Sequence, residues 1–170
     1  DSRTGAAAVL PGPAPKENDK FPPNKTYYEI PIALQDRAFN ADGSLFYPDH
    51  RAFFEGLEPA DFDPTFPFWG EAACGGLPSD VSPIWNPEFF GNTLVVNGRT
   101  WPYLNVEKRR YRFRFLNGCN SRFLILKFSQ DVPVWQIGTE GGFLPAPIDL
   151  TGEQILMGLA ERADVIVVST

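Results

Sequence analysis

The stretch Arg110-Tyr111-Arg112-Phe113-Arg114-Phe115-Leu116-Asn117 decides the fold class, because charged and aromatic side chains alternate along it. Alternate residues of a β-strand point to opposite faces of a sheet, so the pattern predicts one polar face and one apolar face. The arginines therefore belong to the polar face of a half-buried strand. A surface that binds nucleic acid is not indicated, since the chain carries a net charge of −6 and such surfaces are strongly basic.

Similar segments recur on both sides of this stretch, separated by turn residues. Asn40-Ala41-Asp42-Gly43 predicts the tip of a hairpin that pairs residues 30–39 with residues 44–47, because Asp and Gly accept left-handed backbone geometry. The first strand is predicted at residues 27–35, and later strands at residues 93–96, 111–117, 123–128, 134–138, 154–157 and 163–168. Short strands with intervening turns predict an all-β, antiparallel Greek-key sandwich with less than about a tenth of its residues in helix.

Proline divides the chain into regions. Residues 1–25 are rich in proline and polar side chains, which predicts an extended linker. Residues 26–170 then form one domain, in which the proline-rich, aromatic segment 48–90 is a long irregular loop. We expect this loop to cover a sheet face, and a functional loop is the alternative. The chain ends directly after an apolar strand, which indicates a domain truncated at its C-terminal end, and no apolar stretch is long enough to span a membrane.

The residues that bind metals or carry out nucleophilic catalysis are scarce. A blue copper site needs two His and a Cys, but the only histidine is His50, and Cys74, Cys119 and Met157 lie far from it in sequence. The cysteines form no C-x-x-C pair for zinc, and no Gly-x-Ser-x-Gly motif is present. We therefore predict no catalytic, cofactor-binding or metal-binding residue in this chain. His50 is interpreted as a solvated loop residue, and both cysteines as unpaired thiols.

Other residues have structural predictions. Asp36 is expected to form a charge pair with Arg37 or to cap the hairpin, and an interdomain contact is the alternative. Arg122 and Glu161-Arg162 are expected to bridge strand ends. Two tryptophans, Trp101 and Trp135, are expected in the core rather than on a binding platform, given their strand context. The glycine pair Gly141-Gly142 is expected to form a turn with positive φ.

Four segments, in this order, resemble the multicopper oxidases, in the group that contains bacterial spore-coat laccases, bilirubin oxidases and phenoxazinone synthase. They are residues 32–48 (IALQDRAFNADGSLFYP), 91–104 (GNTLVVNGRTWPYL), 110–122 (RYRFRFLNGCNSR) and 160–167 (AERADVIV). Members of that family contain three consecutive cupredoxin domains, and these segments resemble the middle one. The resemblance therefore implies a cupredoxin-like sandwich.

The family's copper-binding histidines lie in the first and third domains, so the resemblance also implies a middle domain without copper ligands. Its implied role is architectural: it spaces and orients the flanking cupredoxin domains, which hold copper in the parent enzyme. The parent would oxidise phenols or similar compounds and reduce dioxygen to water, while this chain alone is expected to be inactive. For the parent we expect a secreted, periplasmic or cell-envelope location.

A second hypothesis is a stand-alone ligand- or carbohydrate-binding β-sandwich whose aromatic loop stacks on sugar rings. A small electron carrier is excluded, because one histidine is too few for its copper site. If the chain is an isolated middle domain, its unpaired terminal strand at residues 163–168 and its exposed apolar surface predict self-association.

Overall fold

A computed structural model describes Leu10 and residues 26–47, 88–129 and 131–169. His50, Cys74 and most of the predicted loop lie outside these residues. The described residues form strands and contain no helix, and thus no helix with the length and hydrophobicity to cross a membrane. The chain divides into two compact units, one formed by Asp1–Arg37 with Phe90–Thr170 and the other by Ala38–Phe89.

Ten strands occur in the described part of the chain, and the predicted ones agree closely with them. The strands β3 and β9 have the predicted bounds, and β5, β6, β7 and β10 differ from prediction by at most one residue at each end. The first strand, predicted at residues 27–35, instead runs from Glu29 to Phe39. The bounds are β1 Glu29–Phe39, β2 Leu45–Phe46, β3 Thr93–Val96, β4 Arg99–Thr100, β5 Arg110–Asn117, β6 Leu124–Lys127, β7 Val134–Thr139, β8 Gly142–Asp149, β9 Gln154–Met157 and β10 Arg162–Val168.

The main sheet has the strand order β4-β3-β1-β5-β10-β7-β8, and β6 pairs with β9 in a second, two-stranded sheet. Most pairings are antiparallel, but β1 runs parallel to β5, with Ile32 opposite Phe115. The all-β class is confirmed, and the expectation of purely antiparallel pairing is wrong at this position. Parallel neighbours need a long connection, and the long segment between β1 and β5 provides it.

Two edge strands were not predicted, and the predicted terminal strand is not an edge. The β8 strand contains Pro145 and Pro147, which are tolerated because β8 is the last strand of the sheet and needs no donors on its outer side. The β4 strand has only two residues. The expectation that residues 163–168 have an unpaired edge is wrong, because β10 pairs with β5 on one side and β7 on the other.

The core lies against the inner face of the main sheet. Val134 of β7 and Val165 of β10 are completely buried, and Met157 of β9 packs in the same cluster. The inner face of β5 adds a row of aromatic rings, in which the centroids of Tyr111 and Phe113 are 5.9 Å apart. The alternation read from residues 110–117 is thus observed: Tyr111, Phe113, Phe115 and Asn117 face inward, and the arginines face outward.

The tryptophan predictions have mixed outcomes. Trp135 is half-buried on β7. Trp101 is 62% exposed, so its assignment to the core is wrong. It follows the short edge strand β4 and has a positive φ of 43°, and its backbone N–H donates to the Leu94 carbonyl of β3 at 3.2 Å.

The turns follow their sequence signals. Within the unit formed by residues 38–89, the Asn40 N–H donates to the Ser44 carbonyl at 2.9 Å and closes the predicted hairpin tip. Asn97 and Gly98 both have positive φ, as a two-residue hairpin turn requires. The predicted glycine turn is shifted by one residue, because Glu140 and Gly141 have positive φ while Gly142 begins β8.

Asn97 should contribute to stability through its side chain as well as its backbone. Its Oδ1 accepts the Ala33 N–H and its Nδ2 donates to the Pro31 carbonyl, both at 2.8 Å, which ties the turn to β1. We expect Asn97→Ala to lower the free energy of unfolding by about 2 kcal/mol, measured by urea denaturation, since two hydrogen bonds are lost. Asn97→Gly should be about 1 kcal/mol less damaging, because glycine accepts positive φ. Wild-type stability of Asn97→Gly would show that the side-chain bonds contribute nothing.

Candidate functional site

A polar cluster with a buried centre forms where β1, β5 and β9 end. It consists of Asp36, Gly91, Asn117, Cys119, Arg122 and Glu161, and is called the junction cluster below. Asp36 and Asn117 are the two buried polar residues of the described part of the chain, with 1% and 0% exposure. A buried carboxylate is costly unless hydrogen bonds or an opposite charge compensate it, so its partners define the arrangement.

Asp36 receives its three partners from two parts of the chain. Its Oδ2 accepts the Gly91 N–H at 2.7 Å, and its Oδ1 accepts the Asn120 N–H at 3.3 Å. The Arg122 Nε lies 3.4 Å from Oδ2 and supplies the compensating positive charge. One carboxylate therefore joins β1 to the segment before β3 and to the turn after β5.

Asn117 satisfies the neighbouring carbonyls. Its Nδ2 donates to the carbonyls of Arg122 at 2.9 Å and Met157 at 3.1 Å, while its Oδ1 accepts the Cys119 N–H at 3.0 Å. Its own backbone N–H donates to the Glu161 carbonyl at 3.0 Å. The side-chain amide thus joins the β5–β6 connection to the end of β9, and its polar atoms are satisfied as buried amides require.

Gly91 is required at its position because the backbone of β1 approaches it closely. A Cβ added there would lie 2.4 Å from the Arg37 nitrogen, a distance that no side chain tolerates. The Gly91 carbonyl accepts a hydrogen bond from Arg122 Nη2 at 2.9 Å, and the guanidinium also lies over the Phe90 ring. Arg122 therefore holds both the carboxylate and the glycine segment that binds it.

Cys119 is a free, buried thiol within the cluster. Burial raises the pKa of Cys119, and the negative charge of Asp36 raises the pKa further. Both effects keep the sulfur protonated at neutral pH, whereas the thiolate is the form that ligates metals and attacks electrophiles. The geometry around Cys119 is thus that of a structural, unreactive cysteine.

The structure corrects one pairing expected from sequence proximity. Asp36 does not pair with the Arg37 side chain, whose Nη1 donates to the Asp36 backbone carbonyl at 3.0 Å. Consecutive residues on a strand point to opposite faces, so the two side chains diverge. Glu161 and Arg162 do connect strand ends: Arg162 binds Glu140, in the turn after β7, at 2.9 Å, and Glu161 accepts the N–H of Gly158, which follows β9.

A cleft of about 430 Å³ lies on the opposite, outer face of the main sheet. It is bounded by β1, β5 and β10 and by the tip of the β7–β8 hairpin, where Phe143 is 75% exposed. The positive charges of Arg112 and Arg114 in the cleft are compensated by acidic side chains. Arg112 binds both Glu29 and Asp164, and Arg114 binds Glu29 at 2.8 Å. Paired charges of this kind leave the cleft nearly neutral and give no specific anion site.

Neither the junction cluster nor the cleft has the donors of a copper centre. Among the described residues no three His, Cys, Asp or Glu side chains come together as a metal site. The whole sequence contains one histidine, which is too few for a blue copper site. Every polar group of the junction cluster named above is engaged in binding another part of the chain, so the arrangement is suited to holding strand ends together.

The strand order and the packed core define a β-sandwich of the cupredoxin type. No family model matches the chain. It is 41% identical over 143 residues to a laccase from Bacillus stratosphericus, covering 84% of this chain and 24% of that protein. A laccase from Bacillus subtilis is 38% identical over 154 residues, covering 90% and 25%. The chain spans about a quarter of the length of these curated relatives.

Comparison with solved structures leads to the same group of enzymes. The crystal structure of a multi-copper oxidase from Pediococcus acidilactici has a TM-score of 0.56 and 31% identity, covering 84% of this chain and 23% of that one. The chain is thus homologous to a segment of the laccases and multicopper oxidases, which confirms the resemblance carried by its sequence motifs. A stand-alone ligand-binding module is not favoured, because the relatives contain this segment as part of a longer enzyme.

Replacing Asp36 should destabilise the domain far more than replacing an exposed acid. Asp36→Ala leaves the Gly91 N–H without its acceptor and the Arg122 guanidinium without its opposite charge, and we expect the free energy of unfolding to fall by about 3 kcal/mol. The matched control Glu153→Ala, at an exposed turn, should change it by less than about 0.5 kcal/mol. Equal effects of the two substitutions in chemical denaturation would contradict the role assigned to Asp36.

Proposed function

We propose that this chain is the middle domain of a larger multicopper oxidase and acts as a structural spacer without copper ligands of its own. The observation that carries the proposal is a combination of two facts. The chain is homologous to about a quarter of each laccase, and its sequence contains one histidine. A segment of this length with a single imidazole suits a domain that supports copper sites built elsewhere in the polypeptide.

The internal organisation of the domain supports this role. A spacer must hold fixed geometry between the domains it joins, and the junction cluster fixes the ends of three strands through buried hydrogen bonds. The hydrophobic core is continuous with the junction cluster. Cys119 and Met157, which both bond to Asn117, belong to the cluster of buried residues around Val165. Buried networks of this kind favour one arrangement of the backbone over others.

In the parent enzyme, flanking cupredoxin domains would hold the copper ions. The reaction that follows from the family is the oxidation of four phenol molecules by one electron each, with transfer of four electrons and four protons to dioxygen to give two water molecules. This chain contributes no residue to that transfer in the proposal. It positions the domains that do.

The proposal is tested by exchanging the segment into a relative. We expect a chimera, in which this chain replaces the aligned 154-residue segment of the Bacillus subtilis laccase, to bind copper and consume oxygen with a phenolic dye. The isolated chain should bind no stoichiometric copper, show no thiolate-to-copper absorption band and consume no oxygen. The measurements are metal analysis, visible absorption and oxygen uptake.

A version of the laccase with the segment deleted serves as the control and should neither retain copper nor oxidise the dye. A blue absorption band or oxygen consumption from the isolated chain would overturn the spacer role. A soluble chimera that binds no copper would also contradict it, because a compatible spacer should preserve the copper sites of its neighbours.

An exposed apolar face supports packing against a partner. Ile125 of β6 lies directly opposite Leu156 of β9, and both side chains point away from the core and are more than half exposed. Phe123, just before β6, extends the same face and is equally exposed. Contiguous exposed apolar side chains on one sheet face are typical of interaction surfaces. In the proposal, a flanking domain covers this face in the parent.

Without that cover, the isolated chain should self-associate through the β6–β9 face. Changing Ile125 and Leu156 together to lysine should weaken association at least about tenfold in sedimentation velocity, because apolar burial is replaced by like charges. The matched control changes Phe143 and Ile148, two exposed apolar residues of β8, to lysine and should leave association unchanged. A monodisperse wild-type monomer at high concentration would refute the expectation.

A further inference from the structure

Leu10 is buried although it lies in the segment that composition predicts to be an extended linker. Its side chain is 6% exposed and packs with Ile30, Ile32 and Tyr111. Its backbone N–H donates to the Tyr103 carbonyl at 2.9 Å. A segment that only separates domains does not need a buried leucine or a hydrogen-bonded amide. Leu10 therefore binds a defined surface of the same chain.

The receiving surface, called the Leu10 socket, consists of Ile30, Ile32, Tyr111 and the Tyr103 carbonyl. Ile30 and Ile32 are alternate residues on the inner face of β1, and Tyr111 occupies the inner face of the neighbouring β5. The parallel register of β1 and β5 places Ile30 opposite Phe113 and Ile32 opposite Phe115, so these side chains share one apolar surface.

Tyr111 is held in place independently of Leu10. Its hydroxyl accepts the Glu107 N–H at 2.9 Å, and its ring contacts Tyr28 edge-on with centroids 5.5 Å apart. The wall of the socket is therefore fixed by bonds that do not involve the leucine. A preformed apolar surface loses little entropy when a side chain binds to it, which favours binding by a single leucine.

We propose that the Leu10 socket is an intramolecular docking site for Leu10. This residue anchors the polypeptide ahead of β1 to the domain by burying one side chain and pairing one backbone amide. The polypeptide is thus attached to the sandwich at residue 10 as well as at residue 29, where β1 begins. Resting on the proposed function, the consequence is that the tether to the preceding domain is measured from Leu10, which restricts the positions that domain can reach.

The inference is tested on the full chain by amide hydrogen exchange followed by NMR. The Leu10 amide should exchange at least about a hundredfold more slowly than an unprotected amide, because opening requires release of the leucine from its socket. Leu10→Ala keeps the backbone donor but removes the buried side chain, and it should abolish the protection. Leu159→Ala, at an exposed turn before β10, is the matched control and should leave protection at Leu10 intact.

A second measurement addresses the socket in trans. A synthetic peptide of residues 5–15 should bind the chain that lacks residues 1–15, and the same peptide with Leu10→Ala should bind at least about tenfold more weakly. Rapid exchange of the wild-type Leu10 amide would overturn the inference, as would equal binding of the two peptides to a folded truncated chain. If the truncated chain does not fold, the exchange result decides. Neither experiment involves copper or a flanking domain, so their failure leaves the spacer proposal standing.

Discussion

The buried carboxylate of Asp36 is the constraint on which the central part of the sheet depends. In the main sheet, β1 lies between β3 and β5, and Asp36 is near the end of β1. An ionised group in this position needs donors, and the chain supplies them from the segments next to both neighbouring strands. The same atoms that neutralise the charge therefore also fix the two connections to β1.

The strands were predictable from sequence, but their neighbours were not. Alternating side chains fixed the bounds of β5 and β10 to within a residue, because burial on one face imposes a period of two. The parallel pairing of β1 with β5 depends on residues far apart in sequence, and no local pattern encodes it. β8 was missed because proline usually ends strands, and its tolerance there depends on the strand being at the sheet edge.

The residues of the junction cluster lie in the segments that carry the family resemblance, yet their roles were only partly predictable. Arg122 was expected to bridge strand ends, and it does, but its partner Asp36 was assigned to Arg37. Proximity along a strand is a poor guide to pairing because adjacent side chains face opposite ways. Burial of Asn117 and the close approach at Gly91 follow from tertiary packing and had no separate signal in the sequence.

A spacer domain has to meet two physical requirements that this chain combines. Its own geometry must be unique, and polar groups buried in the junction cluster favour a unique arrangement because any other leaves a charge or an amide unsatisfied. Its outer surfaces must also bind neighbours, and the Ile125–Leu156 face remains apolar where the strand pattern would permit polar residues. Copper ligands would serve neither requirement. A histidine-poor sandwich with a satisfied buried polar cluster and an apolar outer face therefore suits the proposed role.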